Sequence, residues 1–184
     1  MLLYHAGFKI IKEPDIHYGR KNADFGQGFY LTAEKEFAYR WAQERKGEET
    51  IVNTYELDMT NLKIRRFIRD KEWFEYIFAN RNRKPDTLEA DVIMGPIAND
   101  IIYNTNGIFT GGILEPEQAL KLLLIGPEYT QIVLKTKKAA VQLKWLESAV
   151  LTHEEINGYR KVLIDEEADY QIALAKELDK ILEE

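Results

Sequence analysis

A glycine-punctuated stretch constrains this chain more strongly than any other segment: Asp24-Phe25-Gly26-Gln27-Gly28-Phe29-Tyr30-Leu31-Thr32. Glycine lets the backbone take a positive φ or pass close to another surface. The run that follows Gly28 is rich in β-prone side chains. On a strand, Phe29 and Leu31 would lie on one face and Tyr30 on the other. The stretch therefore predicts a glycine turn leading into a short strand, with the Tyr30 ring in either an open site or the core.

The composition fits a globular protein of one domain. The 184 residues are 45% hydrophobic and 30% charged, with a net charge of −6, which is an ordinary balance. The absence of cysteine excludes disulfides, thiol chemistry and thiolate zinc sites. Because the three histidines are far apart in the chain, no metal site is expected. Neither a membrane span nor an export signal is visible, so we expect a cytoplasmic protein with no membrane partner.

Hydrophobic periodicity predicts an α+β domain over residues 1–150 and an acidic helical tail over residues 151–184. Strands are predicted at residues 2–5, 29–32, 51–57, 91–94, 129–134 and 143–150. Helices are predicted at residues 34–44, 70–82, 115–124 and 136–142. The tail is expected to hold two helices, one opened by a capping box at residues 152–155 and one over residues 166–182. Residues 103–112 are polar and glycine-rich, which indicates a loop.

The periodicity also predicts an apolar face on each of two helices. The helix over residues 70–82 should turn inward the apolar stripe Trp73, Phe74, Ile77 and Phe78. The last helix should present one face made of Ala168, Ile172, Ala175 and Leu182. The acidic tail that carries this face could dock on the domain, dock on a partner or remain a solvated amphipathic helix.

Residues 63–84 are unusually basic, with eight lysines and arginines against three acidic residues. The commoner meaning of such a stretch is the solvated face of a helix. The sharper alternative is a surface that binds nucleic acid.

Several motifs in this order resemble the ADP-ribosyltransferase superfamily that includes diphtheria toxin and the poly-ADP-ribose polymerases. The chain is most similar to an uncharacterised bacterial family of that superfamily, known only as a domain of unknown function, over residues 2–146. The segments that carry the resemblance are Leu2-Leu3-Tyr4-His5-Ala6-Gly7, Pro14-Asp15-Ile16, Arg20, the stretch at residues 24–32, Gly95-Pro96-Ile97-Ala98 and Gln131-Ile132-Val133.

The resemblance implies an ADP-ribosyltransferase-like split antiparallel β-sheet flanked by helices, with NAD bound as a substrate in the cleft. It implies catalytic roles for His5, Tyr30 and Gln131, with His5 and Gln131 on the ribose and Tyr30 stacked on the nicotinamide. It also implies that the backbone of Ala6 and Gly7 and the motif residues Gly28 and Phe29 contact NAD. Trp41 or Tyr39 would form a second aromatic wall. Arg20 and Asp24 would orient either the diphosphate of NAD or the glycine turn. Ala6 stands where that family usually has glycine.

Gln131 is the main departure from the pattern of the superfamily, which has glutamate at this position. Glutamine can hydrogen-bond the ribose but brings no negative charge to the developing oxocarbenium ion. Two residues earlier stands Tyr129, so the paired glutamates of arginine-specific transferases are absent. This pattern argues against polymer synthesis and leaves open either a single transfer or an inactive NAD-binding domain.

The resemblance therefore implies a mono-ADP-ribosyltransferase that modifies an unknown macromolecular acceptor, either protein or nucleic acid, in a toxin-like or defence role. The alternative is an inactive module that binds NAD, ADP-ribose or another protein. Such a module could pair with a small partner, as a toxin pairs with its antitoxin.

Overall fold

Two β-sheets joined at their edges form the centre of the computed structural model, which describes residues 1–42, 44–98 and 114–183. The strands are β1 (Leu2–Gly7), β2 (Phe29–Leu31), β3 (Ile51–Leu57), β4 (Ile64–Arg66), β5 (Val92–Pro96), β6 (Thr130–Leu134) and β7 (Leu143–Val150). The helices in these ranges are α1 (Lys35–Trp41), α2 (Lys71–Arg81), α3 (Pro116–Leu123), α4 (Lys137–Val141) and α5 (His153–Glu183). The loop predicted at residues 103–112 lies outside the described ranges.

The two sheets are mostly antiparallel, which confirms the α+β class. Sheet A has the strand order β1-β3-β7 and sheet B the order β2-β6-β5-β4, and only the short β4 runs parallel to its neighbour β5 among the described strands. The edge strands β1 and β2 meet at Tyr4 and Thr32, whose backbone groups exchange hydrogen bonds of 2.8 and 3.0 Å. This bridge connects the two sheets.

Alternation along β2 places its residues in two different cores, as its sequence predicts. Phe29 and Leu31 are buried in a core shared by both sheets, with Leu3 and Tyr55 of sheet A and Ile132 and Leu134 of sheet B. The opposite face of sheet B packs under α2, in a second core that contains Phe25, Phe67, Trp73, Ile77, Ile93 and Val133. Tyr30 lies on this second face and is only partly buried.

Helix α2 begins where Asp70 accepts a hydrogen bond of 2.9 Å from the Trp73 amide through its side chain. Its inward stripe contains Trp73, Phe74 and Ile77 as predicted. The assignment of Phe78 to that stripe was wrong, because Phe78 is 46% exposed and stacks on the outer side of Phe74. Strand β4 was not predicted, because its three residues include two arginines and show no alternation of apolar and polar side chains.

The C-terminal segment is one continuous helix of 31 residues rather than two. The capping box at its start is confirmed, because Thr152 and Glu155 bond each other's backbone amides at 2.8 and 3.2 Å. The face predicted from Ala168, Ile172, Ala175 and Leu182 is exposed to solvent: Ile172 is 57% and Leu182 77% exposed, and both alanines are exposed as well. The buried positions are Ile156, Tyr170, Leu174 and Ile181.

Helix α5 docks on the domain through α1 and α3. Its first part packs on α1, where Tyr159 meets Tyr39 with ring centroids 5.2 Å apart and Glu166 binds Arg40 at 2.9 Å. Its second part covers Leu122 of α3 with Tyr170, Leu174 and Ile181. Of the three arrangements considered for the acidic tail, the structure shows docking on the domain. None of the helices in the described ranges is long and apolar enough to cross a lipid bilayer.

Two substitutions on α5 test which of its faces is buried. Leu174→Ala removes a side chain that is 3% exposed, so it should lower the free energy of unfolding by about 2–5 kcal/mol. Ile172→Ala, two residues away on the exposed face, should change it by less than about 0.5 kcal/mol. Urea denaturation followed by circular dichroism gives both values. Equal losses in the two variants would contradict the register described here.

Candidate functional site

A cavity of about 620 Å³ opens where the two sheets join. This volume is in the range typical of small-molecule sites. Of the residues singled out in the sequence, His5, Ala6, Arg20, Asp24, Tyr30, Trp41 and Gln131 line it. Gly7, Gly28, Phe29 and Tyr39 are not among its described lining residues. The structure therefore brings together, at one cavity, side chains from β1, β2, β6 and α1.

His5 is oriented by the junction between the sheets. Its Nδ1 lies 2.8 Å from the carbonyl oxygen of Tyr30, and because a carbonyl can only accept, Nδ1 must carry the proton and donate it. Burial lowers the pKa of His5 below its ordinary value, so the ring is neutral near pH 7. The Nε2 atom of the neutral ring is then an acceptor, and it has no hydrogen-bond partner among the described residues.

Tyr30 is held rigidly at the cavity wall. Its hydroxyl donates to the carbonyl of Gly26 at 2.6 Å and accepts from the amide of Phe25 at 3.1 Å. Gly26 makes this return possible because its φ is +70°. Burial, and next the charge of Asp24, raise the pKa of Tyr30 far above its ordinary value, so the phenol stays neutral. The ring is thus fixed at the wall, and its hydroxyl is fully used by the turn.

Gln131 lies on the same face of sheet B as Tyr30. Tyr30 pairs with Val133, and residues two apart on a strand share a face. Gln131 is 7% exposed, and its Nε2 donates to the carbonyl of Pro96 at 3.4 Å. The same carbonyl accepts from the Trp73 indole at 3.1 Å. The Gln131 Oε1 atom has no hydrogen-bond partner among the described residues, which leaves an acceptor at the cavity.

The charged residues of the cavity divide into one ion pair and one cation outside it. Asp24 is 2% exposed and binds Arg81 of α2 at 2.8 Å, while its backbone carbonyl accepts from Asn80 at 3.0 Å. Of the two roles considered for Asp24, these contacts support holding the turn. Arg20 is exposed at the cavity and has no ion-pair partner within the described ranges.

The side chains of α1 divide between the cavity and the C-terminal helix. Trp41 lines the cavity together with Phe37 and Ala38. Tyr39 points to the other side of the helix, where it packs on Tyr159. Of the two aromatic residues proposed for the far side of the nicotinamide, only Trp41 reaches the cavity.

Gly28 and Gly7, which do not line the cavity, have structural roles beside it. A Cβ at Gly28 would lie 2.5 Å from Val133 Cγ1 and 2.7 Å from the Leu134 carbonyl oxygen, so this residue permits close packing of β2 on β6. Gly7 ends β1, and Phe29 contacts the His5 ring from the core side, with centroids 4.7 Å apart. Sequence reasoning missed three lining residues, Thr32, Tyr18 and Arg81. Thr32 was treated only as the end of a predicted strand, Tyr18 lies between the motif segments, and Arg81 was counted with the basic stretch.

A family model described as "Protein of unknown function (DUF3990)" matches residues 1–145. The chain belongs to the DUF3990 family. A search of curated proteins and a search of solved structures each found no significant match. The DUF3990 match contains every described residue that lines the cavity, whereas α5 lies beyond it.

Two glycine substitutions test the close approach of Gly28 to strand β6, beside the cavity. Gly28→Ala should destabilise the fold by about 1–3 kcal/mol, because the new methyl overlaps Val133 and a backbone carbonyl. Gly158→Ala is the matched control, since a Cβ there meets nothing within 4 Å on α5, and it should stabilise by about 0.5–1 kcal/mol. Melting temperatures report both changes. A Gly28→Ala protein as stable as the wild type would refute the packing argument.

Proposed function

We propose that this chain is an NAD-dependent mono-ADP-ribosyltransferase that modifies a macromolecular acceptor. The observation that carries the proposal is the convergence of His5, Tyr30 and Gln131 on one cavity from three strands of two sheets. Such convergence is what the motif resemblance requires. The DUF3990 match over residues 1–145 supports it only by identifying the family, which has no assigned activity.

The polar atoms at the cavity suit a nicotinamide riboside. His5 Nε2 and Gln131 Oε1 are acceptors that face the cavity with no partner among the described residues. Ribose hydroxyls are donors that such atoms can bind. The aromatic side chains Tyr30 and Trp41 supply flat apolar walls for the nicotinamide ring. Ala6 lines the cavity with its backbone and a single methyl, in the position proposed for the carboxamide.

Arg20 is the residue best suited to the diphosphate. Its guanidinium can form two parallel bonds to phosphate oxygens. It lines the cavity without an ion-pair partner in the described part of the chain. Arg81, by comparison, is bonded to Asp24.

In the proposed reaction, the bond between the ribose C1 atom and the nicotinamide nitrogen breaks, and nicotinamide leaves with the bonding electron pair. The oxocarbenium-like carbon is attacked by a nucleophile of the acceptor, which then loses its proton to solvent or a nearby base. Gln131 can orient the ribose through Oε1 but supplies only a dipole to the cationic centre. A slow single transfer is therefore expected rather than polymer synthesis.

A second candidate is a binding module that holds NAD or ADP-ribose without turnover. The observation that favours it is the neutral Gln131 where a glutamate is expected. Binding of NAD without release of nicotinamide separates this candidate from the enzyme.

The pKa of His5 predicts how NAD binding depends on pH. Burial holds this pKa below 6.5, so the ring is neutral at neutral pH and Nε2 can accept. Affinity for NAD should be constant above about pH 7 and fall as the pH drops through the lowered pKa. Because the folded pKa lies below the unfolded one, the stability contributed by the neutral ring is present above pH 6.5 and is lost in the same acidic window.

Isothermal titration calorimetry across this range tests the prediction, with His5→Gln as the control. Glutamine keeps an acceptor but does not titrate, so its affinity should lack the acidic decline. An identical decline in both proteins would show that another group is responsible.

The decisive experiment measures nicotinamide release from NAD by the wild type and by Gln131→Glu. The new carboxylate places charge next to the cationic centre, so release should rise about tenfold or more, since each ~1.4 kcal/mol is one factor of ten. The fold should tolerate the change because Pro96 keeps its bond from Trp73. Gln131→Leu is the control and should reduce release. If neither the wild type nor Gln131→Glu binds NAD, the proposed function fails; if both bind it and neither releases nicotinamide, the binding module is correct.

A further inference from the structure

The basic stretch at residues 63–84 is not a continuous nucleic-acid surface, because several of its charges are used internally. Arg65 pairs with Glu72 and lies over the Phe67 ring. Arg69, with only 9% of its side chain exposed, donates to the carbonyls of Gly126 and Pro127 at 3.1 and 2.5 Å. Arg81 is bonded to Asp24. Arg83 and Lys84, at the end of the stretch, have no such internal partner among the described residues.

These two charges, Arg83 and Lys84, border a second cavity of about 580 Å³. Lys21 and Lys135 also line it, against a single carboxylate, Asp86. The lining is thus strongly cationic on a chain whose net charge is −6. Lys21, Arg83 and Lys84 are exposed and have no ion-pair partner among the residues the structure describes.

The floor of this second cavity is built by fixed groups. Lys135 has 11% of its side chain exposed, donates to the carbonyl of Phe25 at 2.5 Å and pairs with Asp86 at 3.0 Å. Gly26 leaves the space for this ammonium group, since a Cβ there would lie 3.0 Å from Lys135 Nζ and 2.9 Å from Asn80 Oδ1. Asn80 binds no anion here, because its Nδ2 already donates to the carbonyls of Asp24 and Tyr76. The third N–H of the fixed Lys135 ammonium at the floor, with three cations at the rim, forms a site complementary to a compact anion.

The second cavity adjoins the first, because Asn22 lines both. Residues 18–22 contribute to both cavities: Tyr18, which is 87% exposed, lines the first beside Arg20, and Lys21 lines the second. An exposed aromatic ring next to cations is typical of sites that stack a base and hold its phosphate. This pairing favours a nucleotide over a phosphorylated peptide.

We infer that the second cavity binds the terminal phosphate of a single-stranded nucleic acid and thereby presents that strand as the acceptor. A terminal phosphate is a compact group with up to two negative charges and three acceptor oxygens, which suits a concave site better than the evenly spaced phosphates of a duplex. Its role as an acceptor site rests on the proposed function. The binding of the phosphate itself does not.

The test compares wild type with Lys21→Glu/Lys84→Glu, without NAD. The probe is a short single-stranded RNA, phosphorylated at one end and labelled with fluorescein at the other, followed by fluorescence anisotropy. The double variant should bind the RNA about tenfold or more weakly. The slope of the logarithm of its binding constant against the logarithm of salt concentration should become shallower by roughly 0.7 for each phosphate contact that is lost. The control is Lys161→Glu/Lys176→Glu, which makes the same charge change at exposed positions of α5 and should bind as the wild type does.

Further measurements separate the sources of binding. The same RNA with a terminal hydroxyl should bind the wild type more weakly, and inorganic phosphate should compete with the phosphorylated strand. The inference is overturned if the two strands bind equally, if both double variants lose affinity alike, or if a phosphoserine peptide binds better than the RNA. It is also overturned if Lys21→Glu/Lys84→Glu loses affinity for NAD, since the second cavity would then hold part of that substrate. Strand binding without any NAD binding would contradict the proposed function alone.

Discussion

The pair of backbone hydrogen bonds between Tyr4 and Thr32 is the interaction on which the candidate site depends. It is the point where the edge of sheet A meets the edge of sheet B. One residue further along β1, the bridge places the His5 imidazole against the carbonyl of Tyr30. Because the bridge uses only main-chain atoms, it makes few demands on side chains, and the cavity beside it can carry residues chosen for binding.

The polar side of the cavity is nearly neutral, and this follows from how its groups are paired. His5 is held uncharged by burial, Tyr30 keeps its proton, and Gln131 carries none. Asp24 and Arg81 neutralise each other in the wall. Arg20 also lines the cavity and has no ion-pair partner in the described part of the chain. The electrostatic character of the site therefore comes from oriented acceptor dipoles and one cation, so the site places no full negative charge that could stabilise a cationic centre.

Local patterns were sufficient where one face of an element meets a core. The alternation in Ile51–Leu57 and in Phe29–Leu31 predicted both strands and the faces of β2. The motif residues His5, Tyr30 and Gln131 were singled out in the sequence, and the structure places them at one cavity. That convergence depends on strand order, which no local pattern contains.

Where the sequence was wrong or left a choice open, tertiary packing made the difference. On α5, an amphipathic pattern admits more than one apolar stripe, and the choice between Ile172 and Leu174 was made by Leu122 of α3. Trp41 and Tyr39 were alternatives for the same aromatic wall, and Tyr159 occupies the side of α1 that Tyr39 faces. Phe78 continues an apolar run in α2, yet the core is already filled by Trp73 and Ile77. Tertiary packing, rather than propensity, decided each case.

The order of the elements along the chain, with α5 after the elements that it covers, has a consequence for biosynthesis. Sheet A is completed only by β7, and α1 is covered only when α5 has been made, although β1 and α1 precede both in the chain. At about 5–20 residues per second, the 31 residues of α5 add roughly 2–6 s of synthesis. During that interval Ala38, Val52 and Leu122 lack their final cover. The nascent chain therefore holds the walls of its first cavity before the helix that braces them exists.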